Sequence, residues 1–178
     1  MPILLEPTVA VHRSFLEAWD ELGADEERWM GGRGLIEEWT REELEDPGEF
    51  ARLIESIAAE ARPETELPPD LVHQTVLWFV EGDQWLGRLA IRHHLTPPLL
   101  ELGGHIGYVV RPSARGRGYA TQMLTQSLPV AARLGIDPAL LTCDTDNEPS
   151  RKVIEAAGGE LEDERHGKLR FWVPTHVH

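Results

Sequence analysis

The sequence predicts an α/β fold built on a mixed sheet. Three observations predict it. Apolar residues recur at spacings of three and four over two early segments, then at about two beyond a proline-bounded linker at 63–69. Helical and strand segments then alternate, in the order β, α, α, three strands, α, β, α, β, β. Finally, the chain has 178 residues, 41% hydrophobic and 27% charged. That is an ordinary globular balance, with enough chain to bury a core without staples. One domain spanning 1–178 is expected.

Residues 3–9 read as a short strand interrupted by Pro7, which belongs at a sheet edge. From Val11 to Leu22 the positions Val11, Phe15, Leu16, Ala18, Trp19 and Leu22 make one apolar face of a helix ended by Gly23. Residues 24–45 are rich in Glu and contain Gly31-Gly32-Arg33-Gly34; an irregular excursion with one or two helical turns is expected. Asp46 is the N-cap of a second helix, with Pro47 in its first turn and Glu49 three residues on. Phe50, Leu53, Ile54, Ile57 and Ala58 form its apolar stripe, and Pro63 stops it.

Val72 to Glu81 and Gln84 to Leu95 form a hairpin about Gly82-Asp83. After the turn at Pro97-Pro98, Leu99 to Val110 reads as a third strand. Gly103, Gly104 and Gly107 within it suggest a bulge or a close backbone approach. A helix follows from about Gly118 to Gly135, with a kink or break expected at Pro129. Residues 139–143 are a short buried strand, Glu148 to Ala157 a helix ended by Gly158-Gly159, and 159–165 with 168–173 a last hairpin.

Charge and cysteine content narrow the function. Lys plus Arg number 17 and Asp plus Glu 31, a net charge of −14. Such a chain repels phosphate backbones and anionic lipid headgroups, so neither nucleic acid nor a membrane is the expected partner. It favours a cationic small molecule or a basic peptide. Cys143 is the single cysteine, which rules out an internal disulfide and a four-thiolate zinc site and fits a reducing compartment. No run approaches the roughly 20 apolar residues of a membrane helix. The start, Met1 to Pro7, lacks a basic leader segment. A cytoplasmic protein is expected.

The chemistry concentrates at Tyr108-Val109-Val110-Arg111-Pro112-Ser113-Ala114-Arg115-Gly116-Arg117-Gly118-Tyr119-Ala120-Thr121. A strand ends, a basic glycine-rich loop follows, and a helix opens. Free N–H groups and the helix dipole converge there. Gly116 and Gly118 allow close approach to a phosphate, and Arg115 and Arg117 add charge. The segment lacks Gly-x-Gly-x-x-Gly and the Lys-Ser/Thr ending of a triphosphate loop, which disfavours dinucleotide and nucleotide readings.

Arg115-x-x-Gly118-x-Ala120 matches the Arg/Gln-x-x-Gly-x-Gly/Ala signature, and the chain resembles the GNAT superfamily of acyl-CoA-dependent N-acetyltransferases. Asn147-x-x-Ser150 resembles a second landmark of that family, and residues 72–173 follow its element order. The wording Gly-Gly-His-Ile-Gly-Tyr, with Arg-His-His-Leu, resembles a bacterial branch of predicted acetyltransferases. The resemblance implies a mostly antiparallel mixed sheet with a central splayed parallel pair, flanked by helices. It also implies an acetyl-CoA site in that opening, without a metal. Tyr108 to Val110 would pair with the pantetheine arm, and a backbone N–H near Val109 would polarise the thioester carbonyl. Arg115, Gly116, Arg117, Gly118, Tyr119, Ala120 and Thr121 would hold the pyrophosphate, with Asn147 and Ser150 beside the cofactor arm. A primary amine of a small molecule or peptide would attack directly, and a homodimer is common in such families. A non-catalytic acyl-CoA-binding or sensor module is the alternative.

Direct attack needs a base. His105 is the first candidate, with a core histidine bonded to backbone as the other reading; Glu101 is second, then His93 or His94. The family often carries a tyrosine acid seven residues after the Asn, where this chain has Ile154. A thiol of pKa about 8.5 can leave unaided, and Tyr108 can substitute. Cys143 reads as a buried structural thiol. His93, His94 and His105 match no zinc spacing, and His176 to His178 read as a plain terminus. The acidic run Glu37 to Asp46 reads as a solvated helix face or as a rim that attracts a cationic acceptor. Trp29 and Trp39 read as pocket lining or as packing. Arg115 either binds phosphate or shapes the loop.

Overall fold

A computed structural model of the chain describes residues 1–22 and 38–176. The expectations for Gly23, Trp29, Gly31 to Gly34, Glu37 and His178 lie outside the described residues.

The chain opens with β1 (Ile3–Leu5), an edge strand antiparallel to residues 78–80. It is shorter than expected because Pro7 ends it. Thr8 accepts a bond from the Ala10 N–H (3.2 Å) and starts a single turn at Val9–Val11 that leads into α1 (His12–Glu21). The second helix, α2 (Pro47–Ala59), is capped as its sequence dictates: Asp46 Oδ2 accepts from the Glu49 N–H at 3.0 Å. It ends at Ala59, ahead of Pro63. The acidic run before it is no helix face: it makes one tight turn at Glu43–Glu45, with Arg41 pairing to both Asp20 and Glu45.

The hairpin of β2 (Gln74–Glu81) and β3 (Gln84–Arg92) turns at Gly82, whose φ of +61° suits glycine. Alternation along β3 divides two cores. Leu89 and Ile91 face one and Ala90 the other, under α1 and α2; the register shift opposite Phe79 and Val80 turns Trp85 into that second core as well. In the second core Phe15 stacks on Trp78 (5.1 Å) and meets Phe50 (5.3 Å). Burying each such aromatic stabilises by about 1.5–3 kcal/mol, which is why two short helices stay on this sheet.

The third strand departs from expectation. Leu99–Gly103 is one wide helical turn entered from Pro98, and β4 is only Ile106–Val110. The glycines account for the difference. Gly104 has φ +67°, and a Cβ there would stand 2.5 Å from the Leu140 carbonyl oxygen. Only glycine lets the chain turn out of the helical segment and touch the next sheet.

Beyond β4, α3 (Tyr119–Arg133) packs on the first core through Met123, Leu124, Leu128 and Ala131. Pro129 sits inside this helix, which runs on past it to Arg133. Then follow β5 (Ala139–Asp144), α4 (Glu148–Ala156), β6 (Glu160–Arg165) and β7 (Lys168–Val173). The first sheet has the order β1-β2-β3-β4 and the second β5-β7-β6, every pairing within each being antiparallel.

The sheets meet at the starts of β4 and β5. The His105 N–H donates to the Leu140 carbonyl (2.7 Å), and the Leu140 N–H donates to His105 Nδ1 (2.9 Å). Both strands leave that junction in chain order and diverge, so the central pair is parallel and splayed. Among the described residues no helix is long and apolar enough to cross a membrane.

Candidate active site

Beyond the junction, Tyr108, Val109 and Val110 of β4 face Thr142, Cys143 and Asp144 of β5 across a cleft of about 890 Å³. Its floor is the loop from β4 to α3. Pro112–Ala114 makes a single turn there, and Arg115 Nε donates to the Val110 carbonyl at 2.9 Å. This bond braces the loop while Arg115 also lines the cleft. Gly116 and Gly118 hold φ +80° and +76°, and a Cβ on either would meet no atom of another described residue within 4 Å, chain neighbours aside. The backbone conformation demands glycine at both, and the space beside them is open.

Gly118 also begins α3 with no side-chain cap and no acidic residue in the first turn. No cap side chain takes up the first N–H groups of the helix, and the positive end of its dipole lies behind them.

Most of the expected cradle lines this cleft: Val109, Val110, Arg115, Gly116, Gly118, Tyr119, Ala120, Thr121, Asn147 and Ser150. Arg117 does not; it is exposed, so its charge points to solvent and not to the cleft wall. Asn147 lines the cleft while capping α4, its Oδ1 accepting from the Ser150 N–H (3.2 Å). Arg92, Lys168 and Asp144 were not anticipated in the lining. The register Asp144↔Lys168 brings Lys168 there, and its ammonium pairs with Asp144 at 2.5 Å. The strand order that creates this pair leaves no mark in local sequence. An acidic chain thus presents a cleft with Arg92, Arg115 and Lys168 in its walls.

Across the opening, the Tyr108 hydroxyl lies 2.7 Å from Ser150 Oγ. Burial raises the Tyr108 pKa above the ordinary phenol value, outweighing the Ser150 hydrogen bond, so the hydroxyl keeps its proton. Ile154, where the family often has a tyrosine, is fully buried in the first core. Burial likewise raises the Cys143 thiol, which stays neutral.

The two leading base candidates are placed elsewhere. Glu101 is in the wide turn and not on β4; Arg165 Nη1 donates to it (2.9 Å), and neither it nor His105 lines the cleft. The Nδ1 lone pair of His105 is taken by the Leu140 N–H, and burial, reinforced by Arg92, lowers its pKa to about 4. This is the core histidine bonded to backbone. His93 shares a hydrogen bond with Thr75 Oγ1 (2.8 Å) and is lowered by burial.

His105 thus joins the sheets, and His105→Ala is expected to cost about 1–3 kcal/mol in urea unfolding. The pH dependence has a definite sign. Folded His105 stays neutral down to about pH 4, whereas the unfolded ring protonates near 6.5. Its contribution is complete above that window and falls away as pH drops from about 6.5 to 4. The alanine variant is expected to lose that part of the acid sensitivity.

The family model for the acetyltransferase (GNAT) domain matches residues 13–160. The chain belongs to the GNAT acetyltransferase family. It is therefore an acyltransferase, with the fold of that family's solved members. Mycobacterium smegmatis RimJ, solved with a CoA disulfide, is 18% identical with a TM-score of 0.66, over 97% of this chain and 81% of that one. The PaiA N-acetyltransferase of Thermoplasma acidophilum, solved with coenzyme A, is 11% identical with a TM-score of 0.58, over 98% and 99%. RimL, the ribosomal L7/L12 alpha-N-protein acetyltransferase, also solved with coenzyme A, is 15% identical with a TM-score of 0.58, over 96% and 92%. No curated protein matches the sequence. In GNAT terms, the splayed pair, the glycine loop and the uncapped helix start are all in place, and the departure is at Ile154.

Proposed function

We propose that this GNAT enzyme transfers acetyl from acetyl-CoA to a primary amine of a small molecule or peptide by direct attack. The Tyr108–Ser150 contact, set in the wall of the cleft, carries the reading. The donor fits the cleft's chemistry. Open space at Gly116 and Gly118, uncapped N–H groups at the start of α3, and the cationic lining suit a pyrophosphate. The solved relatives RimJ, RimL and PaiA carry CoA or a CoA disulfide.

Tyr108 to Val110 offer β4 backbone to an extended pantetheine arm. A backbone N–H near Val109 steadies the oxyanion as the amine nitrogen bonds to the carbonyl carbon. The C–S bond then breaks, the sulfur takes the Tyr108 proton, and the tyrosinate regains a proton, directly or through water, from the second one shed by the acylated nitrogen. Neither His105 nor Glu101 faces the cleft, so the ammonium loses its proton to water. Arg115 serves by shaping the loop, and Ser150 by aiming the Tyr108 hydroxyl. RimL's printed name makes it an acetyltransferase of a protein α-amine, consistent with an amine acceptor here. The hydroxyl of Tyr108 supports catalysis over the alternative of a binding or sensor module.

The test mixes the protein with acetyl-CoA and a panel of primary amines, following free thiol and acetylated product by mass. Transfer without an acetylated protein intermediate is expected. An acetyl group accumulating on Cys143, or tight CoA binding with no amine ever acetylated, would sink the proposal.

A further inference from the structure

Three buried side-chain polar atoms have no hydrogen-bond partner among the described residues: Trp78 Nε1, Trp85 Nε1 and Arg88 Nε. All three are donors. Trp78 lies directly opposite Arg88 in the β2–β3 register, and its ring meets that of Trp85 edge-on at 6.4 Å. Arg88 is 3% exposed, and among the described residues no hydrogen bond or ion pair reaches its guanidinium.

The fold treats its other buried arginines differently. Arg111 is held by Glu21 at 2.6 Å, and Arg170 by Glu162 and Asp163 at 2.9 and 2.8 Å. Around Arg88, Glu60 is the acid whose field attracts it, and that carboxylate already accepts from Gln74 (2.7 Å). Burial lowers the guanidinium to about 10, so it remains charged at neutral pH. An unpaired buried cation costs several kcal/mol, and an apolar side chain of similar volume would be the more stable choice.

Arg88 is not in the cleft lining itself but stands one strand behind it. On β4 its register partner is Val109, which lines the cleft and packs on the same core as Trp78 and Trp85. That core lies under α1 and α2, while α3, with its uncapped start, packs on the opposite face of the sheet. The phosphate-seeking end of the cleft and Arg88 are therefore on different sides.

We propose that Arg88 receives the anionic group of the acceptor, so that the amine acetylated here carries a carboxylate or a phosphate near its nitrogen. This rests on the acetyl-transfer reading and adds the acceptor's chemistry to it. A planar guanidinium with five donors binds either anion in a bidentate manner. The negative field of the chain draws the ammonium, while Arg88 selects the anion beside it.

The test compares matched pairs with the full chain: alanine against alaninamide for the carboxylate, and phosphoethanolamine against ethanolamine for the phosphate. In at least one pair the anionic member is expected to be acetylated with kcat/KM at least about tenfold higher. Arg88→Met is expected to erase that preference, leave CoA affinity within about threefold, and keep or raise Tm, since an unpaired charge is removed. Arg88→Lys keeps the charge, and a partial preference, should the methionine variant fail to fold.

A second readout needs no turnover. With CoA saturating, the preferred anionic amine raises the Tm of the wild type and not that of Arg88→Met. If that shift appears while no amine is acetylated, the transfer reading falls and the Arg88 assignment stands. Three results overturn the assignment: neutral members used as well as charged ones, a preference that survives in Arg88→Met, or a soluble Arg88→Met whose Tm falls by more than about 5 °C. The last would mean that the guanidinium is satisfied inside the protein. Absence of both turnover and charge-selective stabilisation overturns it too.

Discussion

Gly118→Glu is expected to raise the Kd for CoA at least about a hundredfold, roughly 2.8 kcal/mol. Two effects combine. Gly118 has φ +76°, a conformation that costs an L-residue about 1–2 kcal/mol. The added carboxylate would also seat itself on the uncapped N–H groups of α3, where a phosphate is proposed to bind. Among the described residues, chain neighbours aside, no atom lies within 4 Å of the new Cβ, so the chain should still fold. Titration calorimetry with CoA checks the affinity, and thermal unfolding checks the fold. Gly118→Ala separates the causes: it brings the backbone cost without the carboxylate and should weaken CoA far less. Unchanged affinity in the glutamate variant would move the pyrophosphate site away from this loop.

Tyr108→Phe is expected to lower kcat by about a hundredfold while KM for acetyl-CoA moves by less than about threefold. The phenylalanine keeps the ring but removes the proton that meets the leaving sulfur. Some activity should persist, because a thiol of pKa about 8.5 leaves as thiolate without help. Burial raises the Tyr108 pKa, so wild-type turnover should not decline from loss of this proton at neutral or mildly alkaline pH. Ser150→Ala retains the hydroxyl but frees its direction, and its loss in kcat should be nearer tenfold. Steady-state kinetics on all three proteins decide it. A kcat near wild type in Tyr108→Phe would clear Tyr108 as the acid.

Much of the fold was legible because its signals are local. The Asp46-Pro47-Gly48-Glu49 cap, the Gly82-Asp83 turn and the 115–121 loop depend on a few adjacent residues, and the structure places each where the sequence indicates. The misread segment is 99–105. There the outcome turns on a contact between Gly104 and Leu140, 36 residues apart in number, which no window of sequence displays. His105 stayed between two readings for the same reason: its partner is the Leu140 N–H, and residue type alone does not distinguish a tie between sheets from a base. The Tyr108–Ser150 contact joins positions 42 apart, and only the missing tyrosine at Ile154 hinted that another hydroxyl could stand in. That Arg88 Nε meets no partner among the described residues was invisible, since an arginine mid-strand gives no sign of whether a carboxylate will meet it.

The seam between the sheets has a thermodynamic consequence. Past His105 and Leu140 the facing rims of β4 and β5 are not stitched to one another, so peptide groups there rely on water or on a guest. A guest lying along the gap would act as a missing rung shared by both halves of the molecule. Saturation should therefore tighten the molecule as a whole, with amide exchange slowing in both sheets at once and not in the loop alone.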